Sequence, residues 1–396
     1  MRNIGYKSYS YLNQDYKDFE IEEYNDSSQY KVALDENAEL KVLSIIKNNP
    51  LVDLHEHPFK LPKDLRQAFA YCKEGRIVTD FDGLAHSCLD AVFDNHMAGY
   101  NYISSKAGWR WDDIIHDIGM RSCDIAHQNF LIKAETIDDI FTAKKAGKIA
   151  WIIAQESATM IEGELDRVDI LFGLGLRMMG ITYSEANALG SGYNEKADAG
   201  LTHLGERVIA RMNKVGVAID VSHCGYETAM DTIKCSKKPV FISHSGAKTL
   251  WPSARHLFPD NVLKACADKG GIIGIIGAPH SSLSKKHPRH DIEAVMDHFE
   301  YVKDLVGIDH VAFGPDTFSG DHVGLQNLLM IMKTGKPLSE QGYENEIVPF
   351  VKGFDNVAET SWNTVRWLVK NGYSDEDISK IIGGNVIRVL REVWPK

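Results

Sequence analysis

The sequence predicts an α/β protein built as a (β/α)8 TIM barrel, with an N-terminal extension and a C-terminal lid or helical segment. Three observations carry that expectation. Eight short apolar or β-branched runs alternate with amphipathic stretches, the pattern of parallel strands joined by crossover helices. Five segments run through an apolar stretch and stop on a residue able to bind metal: LVDLHEH (51–57), IAWIIAQE (149–156), VGVAIDVSH (215–223), PVFISH (239–244) and HVAFGPD (310–316). The length of 396 residues suits one large barrel with insertions, and 44% hydrophobic residues supply its core.

Residues 1–36 are polar and weakly periodic, and read as an extension covering an edge. A helix over about 38–48 ends at Asn48-Asn49-Pro50, which makes 1–50 a lead-in and 51–396 the barrel. Strands are expected at 51–55, 89–93, 150–155, 175–181, 217–221, 239–243, 271–276 and 311–314. Helices are expected at 136–146, 164–172, 202–214, 225–234, 260–269 and 291–305. The start Thr136-Ile137-Asp138-Asp139 and the stop at Gly270 are good boundary signals. Residues 317–358 lack periodicity and contain several Gly and Pro, so they read as a loop or insertion; 359–396 read as helical, closing the barrel's bottom.

Composition narrows the function. The net charge of −11 and the absence of a Lys/Arg cluster argue against nucleic acid. No apolar run approaches ~18 residues, so no membrane span is expected. The N-terminus lacks a signal peptide's apolar core and the C-terminus lacks an anchor tail. The six cysteines (Cys72, Cys88, Cys123, Cys224, Cys235 and Cys266) are scattered without a CxxC, as for reduced thiols. A cytoplasmic enzyme with a small-molecule substrate is the expectation, as a monomer or a homodimer. No GxSxG, P-loop or Cys-His pair stands out, and the glycines at 270, 271, 274 and 277 read as a tightly packed strand rather than a nucleotide loop.

The strand ends carry the chemistry. Alternation puts His55 and His57 on one side of an extended segment, and Pro58 forbids a helix there. Glu156 ends a run with almost no polar residue, where a carboxylate is either paired or coordinating a cation. His223 and His244 follow strands and are flanked by Ser222, Ser243 and Ser245. Four imidazoles and a carboxylate exceed one tetrahedral zinc and suit two ions bridged by the carboxylate and a water. Asp316, after Gly314-Pro315, would then take a proton from that water and give it to the leaving amine. The pair Trp109 and Trp111 reads as a pocket floor or a helix anchor, and His280, His287 and His290 as a solvated loop or a rim.

These residues resemble the renal (membrane) dipeptidase family of amidohydrolase-like metal hydrolases. The similarity spans most of 50–390 and includes GLTHLGERVIARMNKVGVAIDVSH (200–223), KPVFISHSGA (238–247), ARHLFPDNVL (254–263) and KIIGGNVIRVL (380–390). It implies two divalent ions, taken as Zn2+, with His55 and His57 on one, His223 and His244 on the other, and Glu156 bridging. It also implies that Arg255 pairs with the substrate's carboxylate, and that the reaction is dipeptide hydrolysis with tolerance of D-residues at the C-terminal position. Two positions depart from the family. His57 stands where the family has Asp, and Tyr183 stands where it has a His that contacts the substrate's carbonyl oxygen. A phenol can still donate to an oxyanion. The leading expectation is therefore a binuclear hydrolase of a carboxylate-bearing amide. The alternatives are hydrolysis of a cyclic amide, lactone or other C–N bond, and a catalytically silent metal-binding barrel.

Overall fold

The computed structural model describes residues 2–15, 17–96, 109–279, 281–336 and 348–395. Nine strands form one parallel sheet: β1 (Val52–Glu56), β2 (Ala91–His96), β3 (Leu131–Lys133), β4 (Ile149–Gln155), β5 (Leu176–Gly180), β6 (Ala218–Asp220), β7 (Phe241–Ser245), β8 (Ile272–Ile275) and β9 (Val311–Phe313). Eight follow the order β1-β2-β4-β5-β6-β7-β8-β9 and form a nearly closed barrel. The short β3 lies outside that path. It pairs with Ile149–Trp151 of β4, while β5 pairs with the other end of the same strand. Three residues bounded by polar ones give too little alternation to be read as a strand.

The seam between β9 and β1 closes just beyond the strands. The Asp316 amide donates to the His55 carbonyl at 3.0 Å, and the His57 amide to the Thr317 carbonyl at 3.1 Å. Glu56 locks this seam, accepting from the Thr317 amide at 2.9 Å and its hydroxyl at 2.8 Å.

Inside the barrel, Val52, Leu54, Phe93, Ile152, Met178, Phe241 and Ile272 form an apolar floor. The helix Asn385–Val393 plugs the bottom with Val386, Val389, Leu390 and Val393. Crossover helices such as His203–Val215 and Ile292–Val306 bury their apolar faces on the outside of the sheet. The lead-in helix Glu36–Asn48 is capped by Asp35, whose carboxylate accepts from the Ala38 amide at 2.8 Å. The N-terminal segment is tied down: Asp124 accepts from the Tyr6 hydroxyl, the Ser8 hydroxyl and the Tyr9 amide.

The expectation of a loop over 317–358 is corrected in part, because His322–Thr334 is a helix. Asp321 caps it through the Gly324 amide, and Gly335, at φ 73°, ends it in the left-handed region. Most of what looked like breakers therefore sits at the helix's ends. Residues 337–347 of that stretch lie outside the described residues.

Candidate metal centre

Strict alternation along β1 would aim His55 and His57 away from the side that Val52 and Leu54 face. A β-bulge corrects this. Asp53 is opposite Val92 and Glu56 opposite Asp94, so three steps on β1 match two on β2. The extra residue turns His55 and His57 into the barrel mouth and sends Glu56 outward to the seam. A second bulge, between Ile242 and Ser245 of β7, does the same for His244. Glu156 needs none, because it continues the inward phase of Ala150, Ile152 and Ala154. His223 and Asp316 lie one turn past β6 and β9 with φ of 65° and 59°, left-handed conformations that non-glycine residues rarely adopt.

The result is a buried cluster around one carboxylate oxygen. Glu156 Oε1 is 2.9 Å from His223 Nε2 and 3.6 Å from Nε2 of both His55 and His244. The Asp316 Oδ1 atom is 3.1 Å from His57 Nε2 and 3.8 Å from His55 Nε2. Thus the structure brings together His55, His57, Glu156, His223, His244 and Asp316. Tyr183 joins them, its ring stacked on His223 with centroids 4.3 Å apart, and Trp109 packs against Tyr183 at 5.3 Å. Trp111 instead opens the helix Trp111–Ala126 and lies under Arg167.

Arg255 is exposed, and none of these contacts involves it. The side chain its loop turns inward is the next one, His256, with centroids 4.5 Å from His223 and 4.8 Å from His244. Tyr193 is a further neighbour, stacked on His223 at 5.6 Å. Neither His256 nor Tyr193 was expected. Both lie in loops, where no periodicity says which side chain faces in; the only available signal was that His256 adjoins the residue singled out. His287 is held by Asp297 at 2.7 Å, and His280 lies outside the described residues.

The protonation pattern shows what the cluster is built to hold. The His57 Nδ1–H donates to the Asn95 carbonyl at 2.8 Å, and a carbonyl can only accept. Ser243 spends its one hydroxyl proton on Asp220 at 2.5 Å, so it accepts from Nδ1 of His55 at 3.0 Å and Nδ1 of His244 at 2.8 Å. Each of these rings, when neutral, then presents a lone pair at Nε2. The Nε2 atoms crowd together, 3.3 Å apart for His55 and His57 and 2.9 Å for His244 and His223. A divalent cation would accept lone pairs from such converging nitrogens. Glu156 Oε2 is buried without a hydrogen-bond partner among the described residues. Burial and the neighbouring imidazoles hold His55 and His244 well below the usual histidine range. His57 is raised: burial opposes this, but its hydrogen bond to Asp316 and the charge of Glu156 prevail. Geometry groups His55, His57 and Glu156 as one candidate ligand set and His223, His244 and His256 as another. A third grouping adds Asp220 to His55 and His244, but the Ser243 hydroxyl intervenes. The residues fit divalent cations.

A parallel barrel whose strand ends gather imidazoles around a buried carboxylate defines a metal-dependent hydrolase. The description "Membrane dipeptidase (Peptidase family M19)" matches residues 40–349, and the chain belongs to that family. It is 30% identical over 263 residues to dipeptidase tcpJ of Claviceps purpurea, across 66% of this chain and 55% of that protein. The chain thus spans about half the length of that relative. It is 27% identical over 387 residues to dipeptidase verJ of Clonostachys rogersoniana, across 92% of this chain and 89% of that one. Among solved structures, an amidohydrolase from Pseudomonas aeruginosa superposes with TM-score 0.71 and 25% identity, covering 90% of this chain and 99% of its own. A Rhodobacter sphaeroides metallopeptidase, solved with a phosphinate mimic of L-Ala-D-Ala, shares the fold at TM-score 0.65 and 18% identity, covering 87% of this chain and 99% of its own. No helix among the described residues is long and apolar enough to cross a membrane.

Proposed function

We propose that this chain is a binuclear metal hydrolase that cleaves a dipeptide, or a similar small amide bearing a carboxylate. The observation that carries the reading is the placement of Glu156 Oε1 within 3.6 Å of three imidazoles, with Asp316 beside the fourth. His55 and His57 would hold one ion and His223 and His244 the other, with Glu156 bridging. The ions, taken as zinc, would supply a water acidified to near-neutral pKa and polarise the scissile carbonyl.

The chain's own groups do the rest. Asp316 Oδ1 is poised at the cluster's edge to take a proton from the attacking water and return it to the leaving amine. Its side chain is 13% exposed, which leaves it reachable from the mouth. The Tyr183 phenol, fixed by its stack on His223, would donate to the oxygen that gains charge in the transition state. The Arg255 guanidinium, on the exposed side of the loop beside the site, would anchor the substrate's carboxylate from the rim. A cytoplasmic enzyme, monomeric or homodimeric, remains part of this proposal.

The test is a panel of linear dipeptides with L- or D-residues at the C-terminal position, their carboxamides, and cyclic dipeptides. Hydrolysis confined to free-carboxylate dipeptides is expected, with Arg255→Ala raising KM on them selectively. Turnover of cyclic amides in preference to linear ones would transfer the site to the wider amidohydrolase chemistry.

A further inference from the structure

The loop after β7 returns His256 to the site by a set of specific bonds. Ala247 and Phe258 form a parallel bridge, the Lys248 amide donates to the Phe258 carbonyl at 2.9 Å, and the Phe258 amide to the Gly246 carbonyl at 3.2 Å. The Ser245 hydroxyl then donates to the backbone carbonyl of His256 at 3.1 Å. The imidazole is left 9% exposed, stacked at 25° on His244 and at 61° to His223, with Tyr193 covering it edge-on at 5.6 Å.

Both ring nitrogens of this buried imidazole lack a hydrogen-bond partner among the described residues. Leaving a buried polar atom unpaired is costly, so two such atoms on one ring call for a ligand. One ligand atom each from His223, His244 and His256 lies within 4.8 Å of the others.

We propose that His256 is a third imidazole ligand of the ion at His223 and His244. This rests on the two-ion reading above. With Glu156 the ion would have four protein ligands, a complete set for zinc, whereas the ion at His55 and His57 would keep fewer. The two ions would then bind with unequal affinity, the His223–His244–His256 ion being the tighter.

The experiment titrates metal-free protein with Zn2+ against a chromophoric chelator and repeats the titration with Co2+, reading the visible cobalt bands. The wild type is compared with His256→Ala, His256→Gln and His256→Cys. Expected are two ions on the wild type, at least a tenfold weaker Kd for the tighter one in the Ala and Gln variants, and recovery in the Cys variant, which can ligate. The cobalt bands of that ion should change with each substitution. The metal-free Gln variant should melt close to metal-free wild type, because its side chain fills most of the space of the ring; a loss of metal through misfolding would lower that Tm. Two ions with unchanged affinities and bands in the Ala and Gln variants would overturn the proposal and leave the two-ion reading standing. A wild type that binds one ion, lost in both variants, would support His256 as a ligand and defeat the two-ion reading.

Discussion

Ser243 gives its hydroxyl proton to Asp220 at 2.5 Å, and that bond dictates the tautomer of two imidazoles. Asp220 is buried, which raises its pKa, while the Ser243 hydroxyl and the Ser222 and Ser243 amides pull it back. With its own proton committed, Ser243 can only accept from Nδ1 of His55 and His244, which leaves both Nε2 atoms free to bind metal. Ser243→Ala should weaken metal affinity by roughly 10–100-fold, the usual cost of removing such a support. Chelator competition measures it. Unchanged affinity would show that the rings orient without Ser243.

Asp316→Asn should retain the bound metal and lose roughly 10²–10⁴-fold in kcat, because the amide keeps the shape but cannot take a proton. Elemental analysis with steady-state kinetics on one batch separates the two effects. A kcat within a few-fold of wild type would remove Asp316 from the proton transfer.

Much of this site was legible because strands have a fixed period and end at one face of a barrel. His55, His57, Glu156, His223, His244 and Asp316 all stand at such ends, and they converge as expected. What alternation could not give was the pair of bulges that turns His55, His57 and His244 inward. Loops carry no period at all. Arg255 was singled out for its chemistry, while the backbone turns its neighbour His256 into the site. The strand β3 and the helix His322–Thr334 escaped for related reasons, one being very short and the other bounded by residues that look like breakers.

Gly314 is required by space. A Cβ there would fall 2.0 Å from the Ser243 carbonyl oxygen and 3.0 Å from His55 Cβ. A Cβ on Gly274, in β8, would fall 1.9 Å from the same carbonyl oxygen, as expected of a tightly packed strand. Gly314→Ala should cost about 1–3 kcal/mol of stability and disturb metal binding as well, since it displaces Ser243 and His55 together. Denaturant melts of the metal-free and metal-loaded protein test this; a fully stable, fully loaded variant would contradict it.

The N-terminal segment is latched by two acids. Asp355 accepts from the Ser28 amide at 2.6 Å, and Glu359 from the Tyr30 amide at 2.8 Å. Burial pushes Glu359 up to about 7 and Asp355 up to about 6, with Asp355 adding to the first and Glu22 to the second. A raised acid binds its proton more tightly when folded, so its contribution falls as pH rises from about 4.5 through 7. Glu359→Gln should therefore raise stability at pH 8 by on the order of 2 kcal/mol, with little gain at pH 4.5. Tm measured across that range checks the sign. A gain at low pH and none at high pH would reverse it.

The central claim is that one buried carboxylate bridges two ions. Its most direct test is the metal content of purified wild type and Glu156→Ala after gel filtration, with dipeptide hydrolysis assayed on the same samples. The account predicts two ions per chain and activity in the wild type, and no more than one ion and no activity in the variant. A fully active wild type carrying a single ion, or a variant that keeps both, would contradict it.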